Sequence, residues 1–242
     1  MSSPLLEASG IAQRFGALVV LDGVDFHLAT GESVGVVGPN GAGKTTLLSI
    51  LAGSIRPTSG RVRYEGNDVT GLRADRRCRL GIARTHQIPR PFIGMTVFEN
   101  ALVGAMVGAG QRRSGVYERV VDVLQSCGLV DVANRRAADL GLLDRKRLEL
   151  ARALATSPKV LFLDEIGGGL TDAEAVELVG TIKQLRQRGI AIIWIEHIVH
   201  ILVQVIDRLV CLDAGRVIAD GLPGDVLADT AVIDAYLGTS VT

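Results

Sequence analysis

Three short stretches carry side chains that could handle a phosphate. Residues 38 to 46 read GPNGAGKTT. Gly38, Gly41 and Gly43 leave out side chains where backbone N–H groups must converge on phosphate oxygens, and Pro39, Asn40, Ala42 and Thr46 complete the loop. Lys44 adds a charge able to reach β and γ phosphates, and the Thr45 hydroxyl suits Mg²⁺. The second stretch is VLFLDE, residues 160 to 165. Asp164 could hold Mg²⁺ through water, while Glu165 is placed to orient or deprotonate an attacking water. Alone, this would be an acidic strand end facing solvent; a phosphate loop upstream turns it into a metal and water site. The third is IAIIWIEHI, with His197 just past an apolar run. An imidazole there could donate to a γ-phosphate oxygen. A lone strand-end histidine is more often structural, and His200 reads as packing or surface.

Positioning such groups needs strand ends and helix starts. SVGVV (33–37) reads as a strand into the loop, and TTLLSILAG as a helix ending at Gly53 with its positive end toward the anion. LLEASGIA, LVVLDGVDFHL and GRVRYEG, broken by Gly-rich turns, read as a small β region. From about residue 90 to 156 the periodicity turns helical, as in VYERVVDVLQSCGL. VLFL, IAIIWI and RLVCL then read as buried strands, with TDAEAVELVGTIKQLRQRG as a helix between the first two. Continuous apolar strands alternating with helices imply a parallel sheet covered on both faces. TAVIDAYLG reads as a short closing helix.

At 242 residues the chain is long enough for one large domain, or a domain with a subdomain. Its 26 basic and 26 acidic side chains cancel, which argues against a nucleic-acid grip. Basic runs at Arg76-Arg77, Arg112-Arg113 and Arg145-Lys146-Arg147 read as solvated faces. Cys78, Cys127 and Cys211 form no CxxC pair and read as small apolar residues of a reducing compartment. No signal peptide is visible at MSSPLLEASG. The most apolar long segment, residues 189–206, is interrupted by Glu196, His197, His200 and Gln204, which excludes a spanning helix.

In order, GPNGAGKTT, GIARTHQ, VLFLDE, IEH and the DAGRVIADG hairpin resemble the ATP-binding subunits of ABC transporters over nearly the whole chain. LDGVDFHLATGE, MTVFEN, RKRLELARALATSPK and DVLADTAVIDAYLG resemble the branched-chain amino-acid importer subgroup. The resemblance implies an α/β fold: a P-loop NTPase-like parallel sheet core (1–87 and 157–242), an N-terminal antiparallel β subdomain and an inserted α-helical subdomain (88–156). It implies an ATPase with ATP and Mg²⁺ as cofactors. The site would comprise Phe15 stacking on adenine, the loop 38–46, and Gln87 reaching the Mg²⁺ and water. Asp164, Glu165 and His197 would complete it. The implied partners are membrane permease subunits, a second ATPase chain arranged head to tail, and indirectly a solute-binding protein. The chain would then sit in the cytoplasm, peripheral on the inner face of the membrane. The segment Ile88–Asn100 would lie by the groove for a permease coupling helix; ordinary subdomain packing is the alternative.

The pattern breaks where the family carries Ser-Gly-Gly-Gln. Aligned on RLELARAL, that turn falls on Gly141-Leu142-Leu143-Asp144, so the hydroxyl is lost and two glycines become leucines, which lack glycine's φ > 0 freedom. Asp144 is expected to N-cap the following helix. Ile166 replaces the usual Pro after DE, and Leu170, Thr171 and Asp172 fall where a loop should cross a dimer interface. These departures favour a heterodimer whose partner carries the intact turn. Two other functions stand beside the importer: a soluble ABC ATPase outside transport, and a low-turnover regulatory nucleotide-binding partner.

Overall fold

A computed structural model describes residues 3–108 and 115–237; the Arg112-Arg113 run lies outside the described residues. In chain order come β1 (Leu6–Phe15), β2 (Leu18–Leu28), β3 (Ser33–Val37), α1 (Lys44–Leu51), β4 (Ser59–Tyr64) and β5 (Asn67–Asp68). Next are α2 (Ala74–Leu80), β6 (Ile82–Arg84), α3 (Val97–Val103), α4 (Val116–Ser126), α5 (Leu142–Leu154), β7 (Val160–Asp164) and α6 (Asp172–Gln187). The last are β8 (Ala191–Ile195), α7 (Val199–Leu202), β9 (Arg208–Asp213), β10 (Arg216–Gly221), α8 (Pro223–Ala228) and α9 (Thr230–Leu237).

Contacts divide the chain into two compact units, Met1–Ala74 with Ala191–Thr242, and Asp75–Ile190. The boundaries expected at 88 and 156 come from the family resemblance together with the helical periodicity. By contacts, α6 and the β6–β7 pair group with the helices of 75–190.

In the first unit, β1 pairs antiparallel with β2 and β4, and β5 closes the order β2-β1-β4-β5. Leu6, Ala8 and Ile11 of β1 face Leu21, Val24, Phe26 and Leu28 of β2 in burying one side, the alternation expected of a half-covered antiparallel sheet. β3 runs parallel to β8 on one side and β9 on the other, with Val36 opposite both Ile195 and Val210. Every residue of β3 and β8 is buried, which is why these runs read as continuously apolar. Arg208, opening β9, holds Glu32 at 2.7 Å and Asp220 at 2.7 Å, tying the approach of β3 to β10.

In the second unit, β6 and β7 pair parallel, Arg84 opposite Phe162. α4 buries Val116, Val120 and Leu124 on one face. α6 starts with a capping box: Thr171 accepts from the Glu174 N–H while the Glu174 carboxylate accepts from the Thr171 N–H. The fold class anticipated from the sequence, parallel strands between helices beside an antiparallel sheet, is the one observed. Cys127 and Cys211 are buried, which pushes their thiols up to about 12 and about 11. Among the described residues no helix is long and apolar enough to cross a membrane.

Candidate functional site

β3 delivers the chain to a loop with little conformational choice. Gly38 (φ 143) has no room for a Cβ, which would stand 2.0 Å from the Leu212 carbonyl oxygen. Gly43 (φ 99) is equally confined, 2.6 Å from Leu21 Cδ2 and 2.8 Å from the Val20 oxygen. Gly43 N-caps α1 without any side-chain cap, so the first turn presents backbone N–H groups and the positive end of the helix dipole. That combination suits an anion. Lys44 is only 6% exposed, and its ammonium donates to the carbonyls of Gly38 (2.6 Å) and Pro39 (2.9 Å). The loop is further pinned by the Gly215 N–H donating to the Ala42 carbonyl and by the Gly38 N–H donating to the Tyr236 hydroxyl at 2.8 Å. Asn40 and Thr45 are exposed, Thr46 half-buried. In the same unit, Phe15 ends β1 with half its surface exposed, and His197 is exposed just beyond β8. The His197 N–H donates to the carboxylate of buried Glu196.

The remaining predicted residues belong to the second unit. Asp164 ends β7, is 4% exposed, and is met at 2.6 Å by the Arg84 guanidinium. Its N–H also approaches the Thr85 hydroxyl, 3.4 Å away. Glu165 follows in a left-handed conformation (φ 48), which turns its side chain off the strand line. The Gln87 amide donates to the Glu165 carboxylate in a very short contact. Gln87 and Glu165 are thus brought together, while Asp164 faces Arg84. His86, beside them, has its imidazole pKa lowered, chiefly by burial.

The turn at 141–144 differs from expectation. Gly141, not Asp144, N-caps α5, with φ −66 and ψ 173 and no side-chain cap bond. Leu142, Leu143 and Asp144 already form the first helical turn, so no φ > 0 is required there. Asp144 instead pairs with Arg147 at 3.5 Å, one turn on, and places negative charge near the helix N-terminus. The local preference of Asp for caps lost to the register of α5, whose buried residues Lys146, Leu148, Leu150 and Ala151 fix where the helix begins.

Two polar partners of the site escaped the sequence reading. Arg84 could have been suspected, since a charged residue in a three-residue strand otherwise apolar needs a carboxylate. Tyr236 gave no signal, being 198 residues from Gly38.

Residues 21–167 match the family model described as ABC transporter. The chain belongs to the ABC transporter ATP-binding family. It is an ABC transporter ATPase, and ATP is the ligand its glycine loop implies. Residues 216–242 match a second model, branched-chain amino acid ATP-binding cassette transporter. The high-affinity branched-chain amino acid transport ATP-binding protein BraF of Pseudomonas aeruginosa is 36% identical, covering 98% of this chain and 99% of the relative. LivG of Escherichia coli K12, of the same description, is 37% identical over the same shares. The lipopolysaccharide export system ATP-binding protein LptB of Acidithiobacillus ferridurans is 33% identical, with 98% of each covered. Among solved structures, the ADP conformation of an ATP-binding cassette of an ABC transporter superposes with TM-score 0.89 at 30% identity, covering 98% of this ABC transporter ATPase and 100% of that chain.

Proposed function

We propose that this ATPase energises an importer of branched-chain amino acids. The observation that carries the solute class is the match at 216–242, joined to 36–37% identity with relatives so described. Overall identity alone would not select it, since an export-system relative stands at 33%.

In this reading the loop Gly38–Thr46 cradles the phosphates, with Lys44 released from the Gly38 and Pro39 carbonyls to meet them. Half-exposed Phe15 offers a face for adenine. Thr45, Asp164 and Gln87 would hold Mg²⁺; a hydroxyl, a carboxylate and an amide oxygen fit a hard cation, whose charge would offset that of the phosphates. Glu165 takes the proton of the attacking water, and its left-handed backbone with the Gln87 amide on one oxygen supports that role. His197 donates toward the terminal phosphate. Residues 1–87 with 157–242 act as the nucleotide-binding core and 88–156 as the helical subdomain.

The chain works on the inner face of the membrane, attached through permease subunits, as half of a head-to-tail dimer. Its 141–144 turn offers no hydroxyl, and Asp144 would repel a phosphate; Leu142 is exposed and packs near Gly169. A partner chain with the intact turn would therefore complete the ATP held here, while the partner's ATP turns over slowly.

Glu165→Gln should reduce turnover by at least ~100-fold while retaining ATP, the magnitude of a lost general base. Parent-like turnover would remove Glu165 from its role. Transport of leucine by vesicles carrying the chain with its permease tests the solute, and ATP-dependent uptake absent for leucine, isoleucine and valine would overturn it. Turnover by the isolated chain tests the asymmetry; rapid cooperative hydrolysis by a homodimer would show the altered turn suffices.

A further inference from the structure

The peptides on both sides of the Gly38 Cα are held. Its carbonyl accepts the Lys44 ammonium at 2.6 Å, and its N–H donates to the phenol oxygen of Tyr236 at 2.8 Å. A Cβ at Gly38 would stand 2.0 Å from the Leu212 carbonyl oxygen, so only glycine fits this φ 143 turn, and the two hydrogen bonds are what hold its backbone in place. Gly38 is buried, so an N–H left without an acceptor there would be costly. Tyr236 comes from the last turn of α9, which follows α8 and is anchored by Val232, 3% exposed.

We propose that Tyr236 is a positioning residue for the phosphate loop. Its hydroxyl fixes where the loop leaves β3, so that the seating of α9 sets nucleotide affinity. This rests on the reading of residues 38–46 as the ATP loop. To reach a phosphate, Lys44 must leave the Gly38 carbonyl; the Tyr236 contact on the preceding peptide, at the Gly38 N–H, need not break. Tyr236 acts on loop backbone and on no reacting atom. Its loss therefore appears in nucleotide affinity and not in turnover at saturation. Any partner or modification that unseats α9 would weaken ATP binding by the same route.

The test is Tyr236→Phe in the full chain, which keeps the ring and removes only the hydroxyl. The dissociation constants for ADP and ATP should rise about threefold to tenfold, the range for one net hydrogen bond. kcat at saturating ATP should stay within about twofold, and exchange of the Gly38 amide should accelerate. Unchanged affinity with unchanged Gly38 exchange would overturn the proposal. Lys44→Ala, measured alongside, separates the two readings. If it abolishes ADP binding while Tyr236→Phe binds as the parent does, only the tyrosine's role fails. If it binds ADP like the parent, the loop reading fails first. Should Tyr236→Phe unfold, the parent chain still decides, because an unprotected Gly38 amide there would refute the contact.

Discussion

Gly43 and Gly141 each stand directly ahead of a helix, and they are built on opposite terms. Gly43 caps α1 in the left-handed region (φ 99), wedged against Leu21 and the Val20 carbonyl. Gly141 caps α5 with ordinary extended backbone (φ −66, ψ 173), and a Cβ there would meet nothing within 4 Å. Neither helix has a side-chain cap. At α1 the crowded glycines leave backbone N–H groups for a ligand, whereas at α5 two leucines and an aspartate serve the helix itself. In the proposed reading, a bare helix start takes an anion only where the chain before it is forced into line, as at α1.

The sharpest way to break this contrast is Gly38→Ala or Gly43→Ala against Gly141→Ala. The first two drive a methyl into backbone and should cost about 3 kcal/mol of stability, with nucleotide binding lost. The third should stay within about 1 kcal/mol, the size of a lost cap preference with no steric clash added. Urea midpoints and ADP titration measure both, and equal penalties at Gly38 and Gly141 would erase the distinction.

Next in size is restoring the family turn, Gly141→Ser with Leu142→Gly, Leu143→Gly and Asp144→Gln. Two glycines in the first turn of α5 should cost about 2 kcal/mol by helix propensity, partly offset by the serine cap. The gain expected is faster hydrolysis in a homodimer. No gain would mean that the missing hydroxyl is not what limits it.

Asp144→Ala is a smaller probe. It removes a half-screened pair with Arg147, which keeps Glu177 at 2.5 Å, so about 0.5 kcal/mol is expected in a thermal or urea melt. A loss several times larger would restore Asp144 as a true cap.

The smallest effect concerns pH. Burial raises the Tyr236 phenol above its ordinary value of 10.0, opposed by the hydrogen bond from Gly38. The folded chain thus keeps this hydroxyl neutral where the unfolded chain ionises. Its contribution to stability is complete below pH of about 10 and lost as pH rises through the folded value. ADP affinity should then be flat between about pH 7 and pH 9 as far as this contact is concerned. A Tyr236-dependent fall within that window, absent in Tyr236→Phe, would contradict it.

Much of this molecule is legible along the chain. SVGVV, VLFLD and AIIWI read as buried parallel strands because both faces are covered and every position but Ser33 and Asp164 at the strand ends is apolar. The glycine spacing and Lys44 name the phosphate loop for a similarly local reason: backbone approach forbids side chains at fixed offsets. Asp144 was misjudged because cap preference is a weak local term, overruled by the packing of Leu148 and Leu150. The Arg84–Asp164 pair and the Tyr236–Gly38 bond lie 80 and 198 residues apart, beyond the reach of any local pattern.

Chemistry that depends on residue type and close spacing was determined by the sequence alone: the loop, the acidic strand end, the order of strands and helices. The tertiary structure alone decided the counter-charge for Asp164, the amide on Glu165, the left-handed turn that aims it, and the grip on the loop's first peptide. The reason is physical. Backbone geometry is dictated by neighbours a few residues away, but a buried charge or N–H is satisfied by whatever the fold brings within 3 Å.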